Sequence, residues 1–583
     1  DFVVFEKLVR DDKQYASHED ITDEGQTIHV PKITTSAVSD VTKDHDGQVD
    51  SEVKITDTIS YENVTIGHKY AVNGNLMLQD VTEDGSIEES GDIVYSDEND
   101  ATAASGDAEF VAESTSGGVD IEFTVNAKDL ADRTVVVYEE MSNGQQLVAE
   151  HKDIADDDQS IHFPDMKTHA TDAVDGDQEA YAGAETKIID TVSYSNLLPG
   201  KGYEVNGYMH VTDSAGNDLG LLQSDGTVFN EELQQIVSIA DSEKYVISGE
   251  KPGSIESDQE EHQYLIQPGT YSTGTYDGSS SGIDKTALIG GTYKASLIDP
   301  GLIAKVEVSS LNDVDNLMVA NAIYLSSCSE DAELHGEYEN ASSEATVNVP
   351  VDGLISIEVT KIEDTGQNVR EAVLFNGYMS AVEMGEDNYP VSTVRGSAQF
   401  VPESPDGEVQ VEFAFNASTL AGYSTVVFED LYKNDVKLVS HADITDKDQT
   451  ITFPKIGTEL TADGKHDVEA NGDVTLVDTI KYDGLESGKE YQVDGVLHVV
   501  DAEGNDLGIL LNDGTAGQIN EETGELPENA VISTGKFTPD AMSGETTVEF
   551  KFNAKGLGDK SVVAFEKLST NGSLVASHED IAD

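Results

Sequence analysis

The chain has 583 residues and carries 114 Asp and Glu against 33 Lys and Arg, a formal charge of −81. That length suggests about three to five domains, and the acidic surplus excludes nucleic acid as a partner and disfavours anionic membrane surfaces. The single cysteine, Cys328, leaves no intrachain disulfide, and no apolar run is long enough to insert into a membrane in this fragment. The acidic residues run along the whole chain, as on a solvated, self-repelling surface.

In chain order, the opening segment 1–31 begins with a strand-like stretch, Asp1 to Leu8, that has no signal-peptide pattern. Any export signal or wall anchor is therefore expected outside this fragment. Phe5-Glu6 lies in an apolar strand, and twelve residues after the Glu comes His18. His18 opens the pattern His-x-Asp-x-x-Asp-x-x-Gln, which ends at Gln26 and is followed by an alternating strand and Pro31. This segment reads as the C-terminal end of a truncated repeat.

Residues 33–164 carry the full set: Asp57-Thr58, Gly74, the alternating run Ile121 to Val125, Tyr138-Glu139, His151, Gln159 and Pro164. Residues 165–350 begin in the same way, with Asp190-Thr191 and Gly207. They then lose the pattern in an irregular, Gly/Ser/Tyr-rich stretch over about 224–350. Residues 351–454 regain it with Val411 to Phe415, Phe428-Glu429, His441, Gln449 and Pro454. Residues 455–583 supply Asp478-Thr479, Gly495, Phe565-Glu566 and His578, and stop before the position of a Gln.

The spacings between the four His are 133, 290 and 137 residues, the middle one about twice the others. We read 165–350 as an enlarged, degenerate repeat and 351–454 as a short one, because Asn376-Gly377-Tyr378-Met379 repeats Asn206-Gly207-Tyr208-Met209. The rival reading is a single repeat begun at 165 with a domain inserted. Alternation between Gly, Asp and Asn turns, without capped helical periodicity, predicts tandem all-β sandwich or barrel-like domains in an elongated array.

The recurring polar residues suggest chemistry. A Thr hydroxyl becomes a nucleophile beside a base, and a protonated carboxyl can polarise a carboxamide. Attack of Thr on Gln with loss of ammonia would join two strands by an ester. A fold that holds the pair together would offset their poor reactivity. The bland alternatives are a surface His-Asp turn pair and a solvent-facing Glu on an edge strand.

The Asp-Thr strand, Val563-Ala564-Phe565-Glu566 and the His-x-Asp-x-x-Asp-x-x-Gln ending resemble the VaFE repeats, or Thr–Gln ester-bond domains, of Gram-positive surface adhesins. The resemblance covers about 1–223 and 351–583. It implies an Ig-like sandwich stalk, outside the cell and wall-anchored or part of a surface fibre, whose first and last strands are joined by a self-formed ester. Carried over by position, Thr58 would pair with Gln159 while Glu139 and His151 assist. Thr191 would pair with Gln449, aided by Glu429 and His441, only if a domain is inserted; otherwise Gln449 would need Thr360.

Thr479, Glu566 and His578 lack a Gln, and Gln26, Glu6 and His18 lack a Thr. The family also uses a second acid, for which Asp80, Asp213 and Asp501 are candidates, with Glu122, Glu412 and Glu549 as rivals. Lys361 lies in a stretch similar to the first strand of isopeptide-forming pilin domains, without a partner motif. No zinc-like, EF-hand or phosphate-loop pattern is present, so neither metal nor cofactor is expected. The function expected is a structural stalk that crosslinks itself and is not otherwise an enzyme, its partners being further repeats of the same fibre. The alternative is a module in which 224–350 binds a host receptor or glycan.

Overall fold

The computed structural model describes residues 1–82, 84–97, 102–231, 235–248, 385, 387, 389–520 and 523–582, and the backbone of the strands between 263 and 384. Among these residues the architecture is β-sandwich after β-sandwich, as the alternation predicts. In the first complete unit the opening strand Lys32–Ser39 pairs with Val53–Glu62, which pairs with Ser116–Val125. This three-stranded sheet faces a larger one, in which Arg133–Asn143 lies between Lys69–Val81 on one side and Gln146–His151 with Ser160–Phe163 on the other. The period of two decides what is buried: Val53, Ile55, Ile59 and Tyr61 point inward from one strand and meet Ile121, Phe123, Val135, Val137 and Phe163.

The same two sheets recur at 455–582, where Lys455–Thr461, Asp473–Asp483 and Gly544–Asn553 face a sheet centred on Tyr491–Val500 and Ser561–Thr570. The outermost strand of the other units, Ser160–Phe163 and its counterpart Thr450–Thr452, pairs with Arg133–Val136 and Ser424–Val426. In the third unit the equivalent edge borders an open groove of about 540 Å³ lined by Thr458 and Ser561 to Ala564.

Between them, the strand Thr186–Ser195 pairs with Gly407–Phe415, and Tyr203–Thr212 pairs with Ser424–Lys433. One sandwich is therefore built from both sides of the irregular stretch, with one continuous core from Ile188 and Val205 to Phe413 and Phe453. This corrects the division into an enlarged repeat over 165–350 and a short repeat over 351–454; the inserted-domain reading is the one seen. The strand Ala372–Met384, which contains the Asn376-Gly377-Tyr378-Met379 echo, pairs with Leu317–Ser326 and Gln263–Ile266 in a sheet of the insert. It does not repeat the strand Tyr203–Thr212 of the sandwich. Cys328, Thr360 and Lys361 lie outside the described residues.

The helix Ile239–Ser248 closes one end of the second sandwich. Ile239 joins the core, and Ser242 bonds the Leu219 carbonyl and the Asn230 amide. In the opening segment Glu6–Arg10 and Lys13–His18 form a hairpin, and Phe2–Val3 pairs with Thr27–Ile28. No helix among the described residues is long and apolar enough to cross a membrane.

Candidate crosslink site

The last two long strands place the Glu and His of each repeat opposite one another. Glu139 pairs with His151, Glu429 with His441, Glu566 with His578 and Glu6 with His18. After the His, a carboxylate does two tasks. Asp156 caps the short 3-10 turn Asp157–Gln159 by accepting the Asp158 N–H, and it bonds His151 Nε2 at 2.7 Å. Asp446 holds His441 at 2.8 Å, and Asp23 pairs with His18. The Asp-x-x-Gln spacing thereby turns the chain so that Gln159 and Gln449 enter the core, where both are fully buried.

Inside, Gln159 Nε2 donates to Asp57 Oδ1 at 3.3 Å and Gln449 Nε2 donates to Asp190 Oδ1 at 3.2 Å. Asp57, Asp190, Glu139 and Glu429 are themselves fully buried. Burial raises Glu139 well above the usual carboxylate range, and the neighbouring Asp57 raises it further. Asp57 is also raised, chiefly by burial, although Glu139, Gln159 and the charge of His151 pull the other way. Glu429 is raised well above its ordinary value for the same reasons, with Asp190 as its neighbour. Two adjacent buried carboxyls cannot both ionise, so each site retains a proton.

The hydroxyl that faces this pair is Thr35, on the opening strand. It lies close enough to Glu139 to favour the carboxylate, without the geometry of a formed hydrogen bond, and Thr168 does the same at Glu429. Thr35 Oγ1, Thr168 Oγ1 and the Oε1 atoms of Gln159 and Gln449 are buried and make no hydrogen bond. Each complete unit thus places a Thr hydroxyl, a carboxyl pair and a Gln amide in one dry pocket.

A glycine and an aromatic ring wall it. Gly74, Gly207 and Gly495 lie opposite Glu139, Glu429 and Glu566 in the register. A Cβ at Gly207 would sit 2.5 Å from the Phe413 ring, and one at Gly495 would sit 2.7 Å from Phe550. Only glycine lets the ring of the facing sheet come this close to the acid.

These positions correct the sequence assignment of the threonine. Thr58 is exposed on the outer face of its strand, opposite Ser36, and cannot meet Gln159. Thr191 and Thr479 occupy the same outward register, opposite His169 and Glu459. The period of two sends their neighbours Asp57, Asp190 and Asp478 inward instead. The missed threonine had a signal: Thr35, Thr168 and Thr458 each stand four residues after the repeat Pro, at Pro31, Pro164 and Pro454.

The second-acid candidates are corrected too. Asp80 is a surface partner of Arg133, and Asp213 and Asp501 organise turns with Asn217 and Asn505. Glu122 is exposed, while Glu412 and Glu549 face solvent with Lys187 and Lys551. In the third unit Thr458, Asp478, Glu566 and His578 stand at the corresponding positions on the corresponding strands. In the opening hairpin Glu6 is exposed and Gln26 is half-buried, without a facing Thr. Among the described residues no cluster of three or more His, Cys, Asp or Glu could hold a metal.

The family model for the T-Q ester bond containing domain matches residues 1–30, 31–163, 164–250, 361–453 and 454–583. The chain belongs to the T-Q ester bond domain family. Its break in the matches, from 251 to 360, falls within the insert of the second T-Q unit. No curated protein matches the chain. Among solved structures, a bacterial adhesin from Mobiluncus mulieris, described as containing intramolecular disulfide, isopeptide and ester bond cross-links, is 15% identical. Its alignment covers 32% of this chain and 90% of that one, with a TM-score of 0.19. A Salmonella alpha-2-macroglobulin mutant is 10% identical over 98% of this chain and 40% of that one, with a TM-score of 0.14. The family match, and not these loose overall likenesses, decides the assignment.

Proposed function

We propose that this protein is a structural stalk of a bacterial cell-surface adhesin or fibre, and that its T-Q units close themselves by ester bonds, Thr35 to Gln159 and Thr168 to Gln449. The observation that carries this reading is the repeated dry pocket in which a Thr hydroxyl, two carboxyls and a Gln amide are buried together.

The bond requires that Thr35 Oγ1 attack the Gln159 side-chain carbonyl carbon. The ionised member of the Asp57–Glu139 pair takes the hydroxyl proton, and the protonated member hydrogen-bonds the carbonyl oxygen as negative charge develops there. Collapse of the tetrahedral adduct breaks the C–N bond. The amide nitrogen takes up the proton lost by the hydroxyl and leaves as ammonia, so the carboxyl pair ends with as many protons as it began. His151, held by Asp156, favours the ionised form of Asp57. Exclusion of water protects the finished ester from hydrolysis. The site acts once on its own chain and turns over nothing.

The function follows from where the bond lies. It ties the opening strand to the closing segment within each of the first two sandwiches, the two ends that tension would otherwise peel apart. With one cysteine in the chain, no disulfide does this.

Intact mass tests the reading. Two bonds should make the protein about 34 Da lighter than its sequence mass, one ammonia of about 17 Da per acyl substitution. Thr35→Ala and Thr168→Ala should each restore about half of that difference, whereas Thr58→Ala should leave it intact. A full-mass wild-type protein would reduce the molecule to an uncrosslinked β-repeat.

A further inference from the structure

The units of this chain meet through side chains that recur with the repeat but take no part in the crosslink. In the first unit the turn after the opening strand carries Asp44 and Asp46; in the second, the same turn carries Asp177 and Glu179. Asp46 is fully buried and Glu179 is 6% exposed, an unusual place for carboxylates on a surface turn. Each reaches out of its own sandwich into the next.

Tyr203 of the second unit donates to Asp46 at 2.9 Å, and Lys201 pairs with Asp44 at 3.1 Å. Lys433, 4% exposed, binds Asp44 at 2.8 Å and also pairs with Asp46. One unit later Tyr491 donates to Glu179 at 2.5 Å, and Lys489 binds Glu179 at 2.6 Å and pairs with Asp177. The tyrosines are held for this task. Each hydroxyl accepts a backbone N–H, of Leu198 or Glu486, and is left with its one proton to donate forward.

The acid turns are tied to the crosslink strand. Gly47 N donates to the His162 carbonyl and His162 N donates to His45. In the second unit Ala180 N donates to Thr452, Thr452 N donates to Gln178, and the Gln178 side chain donates to the Lys447, Asp448 and Thr450 carbonyls. These are the residues that flank Gln449 and follow Gln159.

We propose that the Asp-x-Asp/Glu turn of one unit and the Lys-x-Tyr step of the next form a repeated joint that fixes successive sandwiches to one another and hands tension to the strand bearing the crosslink glutamine. The fixing of the units stands independently of the ester; the delivery of load to a covalent bond rests on that reading. The partner this surface fits is another repeat of the same kind, recognised by one ammonium and one phenol hydroxyl on a buried carboxylate. The third unit supplies an internal control. Its Asp467 and Glu469 stand at the matching positions and are exposed, without a Lys or Tyr against them among the described residues.

The experiment uses the full chain with Cys328→Ser and spin labels on Ser214→Cys and Ala502→Cys, exposed turn residues of the second and third units. Electron–electron resonance then gives the spread of distances between units, with intact mass taken on the same samples. Glu179→Gln and, separately, Lys489→Met should broaden that spread about two-fold, since domains lacking a large fixed interface move relative to one another. Glu469→Gln should leave it unchanged. The mass deficit should persist in all variants, so a loose joint is told apart from a failed crosslink. An unchanged spread in both joint variants, or equal broadening by Glu469→Gln, would overturn the proposal.

Discussion

Glu139 and Gly74 form a unit that neither explains alone. The acid is kept protonatable by burial, and burial there depends on an aromatic ring that only a glycine admits. Gly207→Ala should therefore force Phe413 or the strand to shift, at a cost of about 1–3 kcal/mol typical of overpacking. It should also slow bond formation in the second unit, visible as a mass deficit that grows over time after synthesis. The carboxyl pair gives a pH prediction. A carboxyl whose pKa is raised on folding binds more proton folded than unfolded, so stability falls as pH rises from the unfolded value, about 4.3, towards the raised folded one. In the uncrosslinked double variant Thr35→Ala/Thr168→Ala the urea midpoint should drop between about pH 5 and about pH 8. Adding Glu139→Gln and Glu429→Gln should flatten that dependence, which separates these groups from the general acidity of the chain.

At the scale of elements, the opening strand does the closing. It carries Thr35 on the face that meets the 3-10 turn of Gln159, and its Ile33 and Ala37 complete the core on either side. By analogy with a disulfide, for which a loop of about 100 residues gives about 4.7 kcal/mol, the crosslinks close longer loops and should stabilise the first two sandwiches by about 5 kcal/mol each through the unfolded chain. The insert of the second unit is peripheral to this arrangement. Its borders are stitched on the sandwich side, where Val394 N donates to Leu222, Ser224 N donates to Ser392 and Gln223 bonds Thr393. Replacing residues 251–384 by a short Gly/Ser linker should leave the second sandwich folded and its ammonia loss intact. Mass spectrometry and the far-ultraviolet β signal would check this; loss of either would mean that the insert is part of the domain.

Over the whole molecule, a formal charge of −81 acts against every compact unit and every joint. Screening length falls from about 30 Å at 0.01 M salt to about 8 Å at 0.15 M. Thermal midpoints measured between those concentrations should rise with salt as self-repulsion is screened. At the two contacts between units, buried acids are met by ammonium groups, Asp46 by Lys433 and Glu179 by Lys489. Burial opposes the charge of Lys489, but Asp177 and Glu179 outweigh it and hold the ammonium above its ordinary pKa.

The repeat, its all-β character and the choice of Glu139, His151 and Gln159 as site candidates were legible in the sequence alone, because alternation and fixed offsets survive in one dimension. The parity of a strand is legible there as well. Asp57 shares its phase with Ile55 and Ile59, and that phase by itself turns Thr58 outward. What only the tertiary structure decided was partnership across the sandwich. Thr35 sits on the opening strand, far in sequence from Glu139, and nothing local says that the two share a pocket. The unity of the second sandwich was hidden for the same reason. Strand Thr186–Ser195 finds Gly407–Phe415 across an insert about as long as a repeat, and such pairing is set by the burial of the inward face of each strand in one core, not by proximity along the chain.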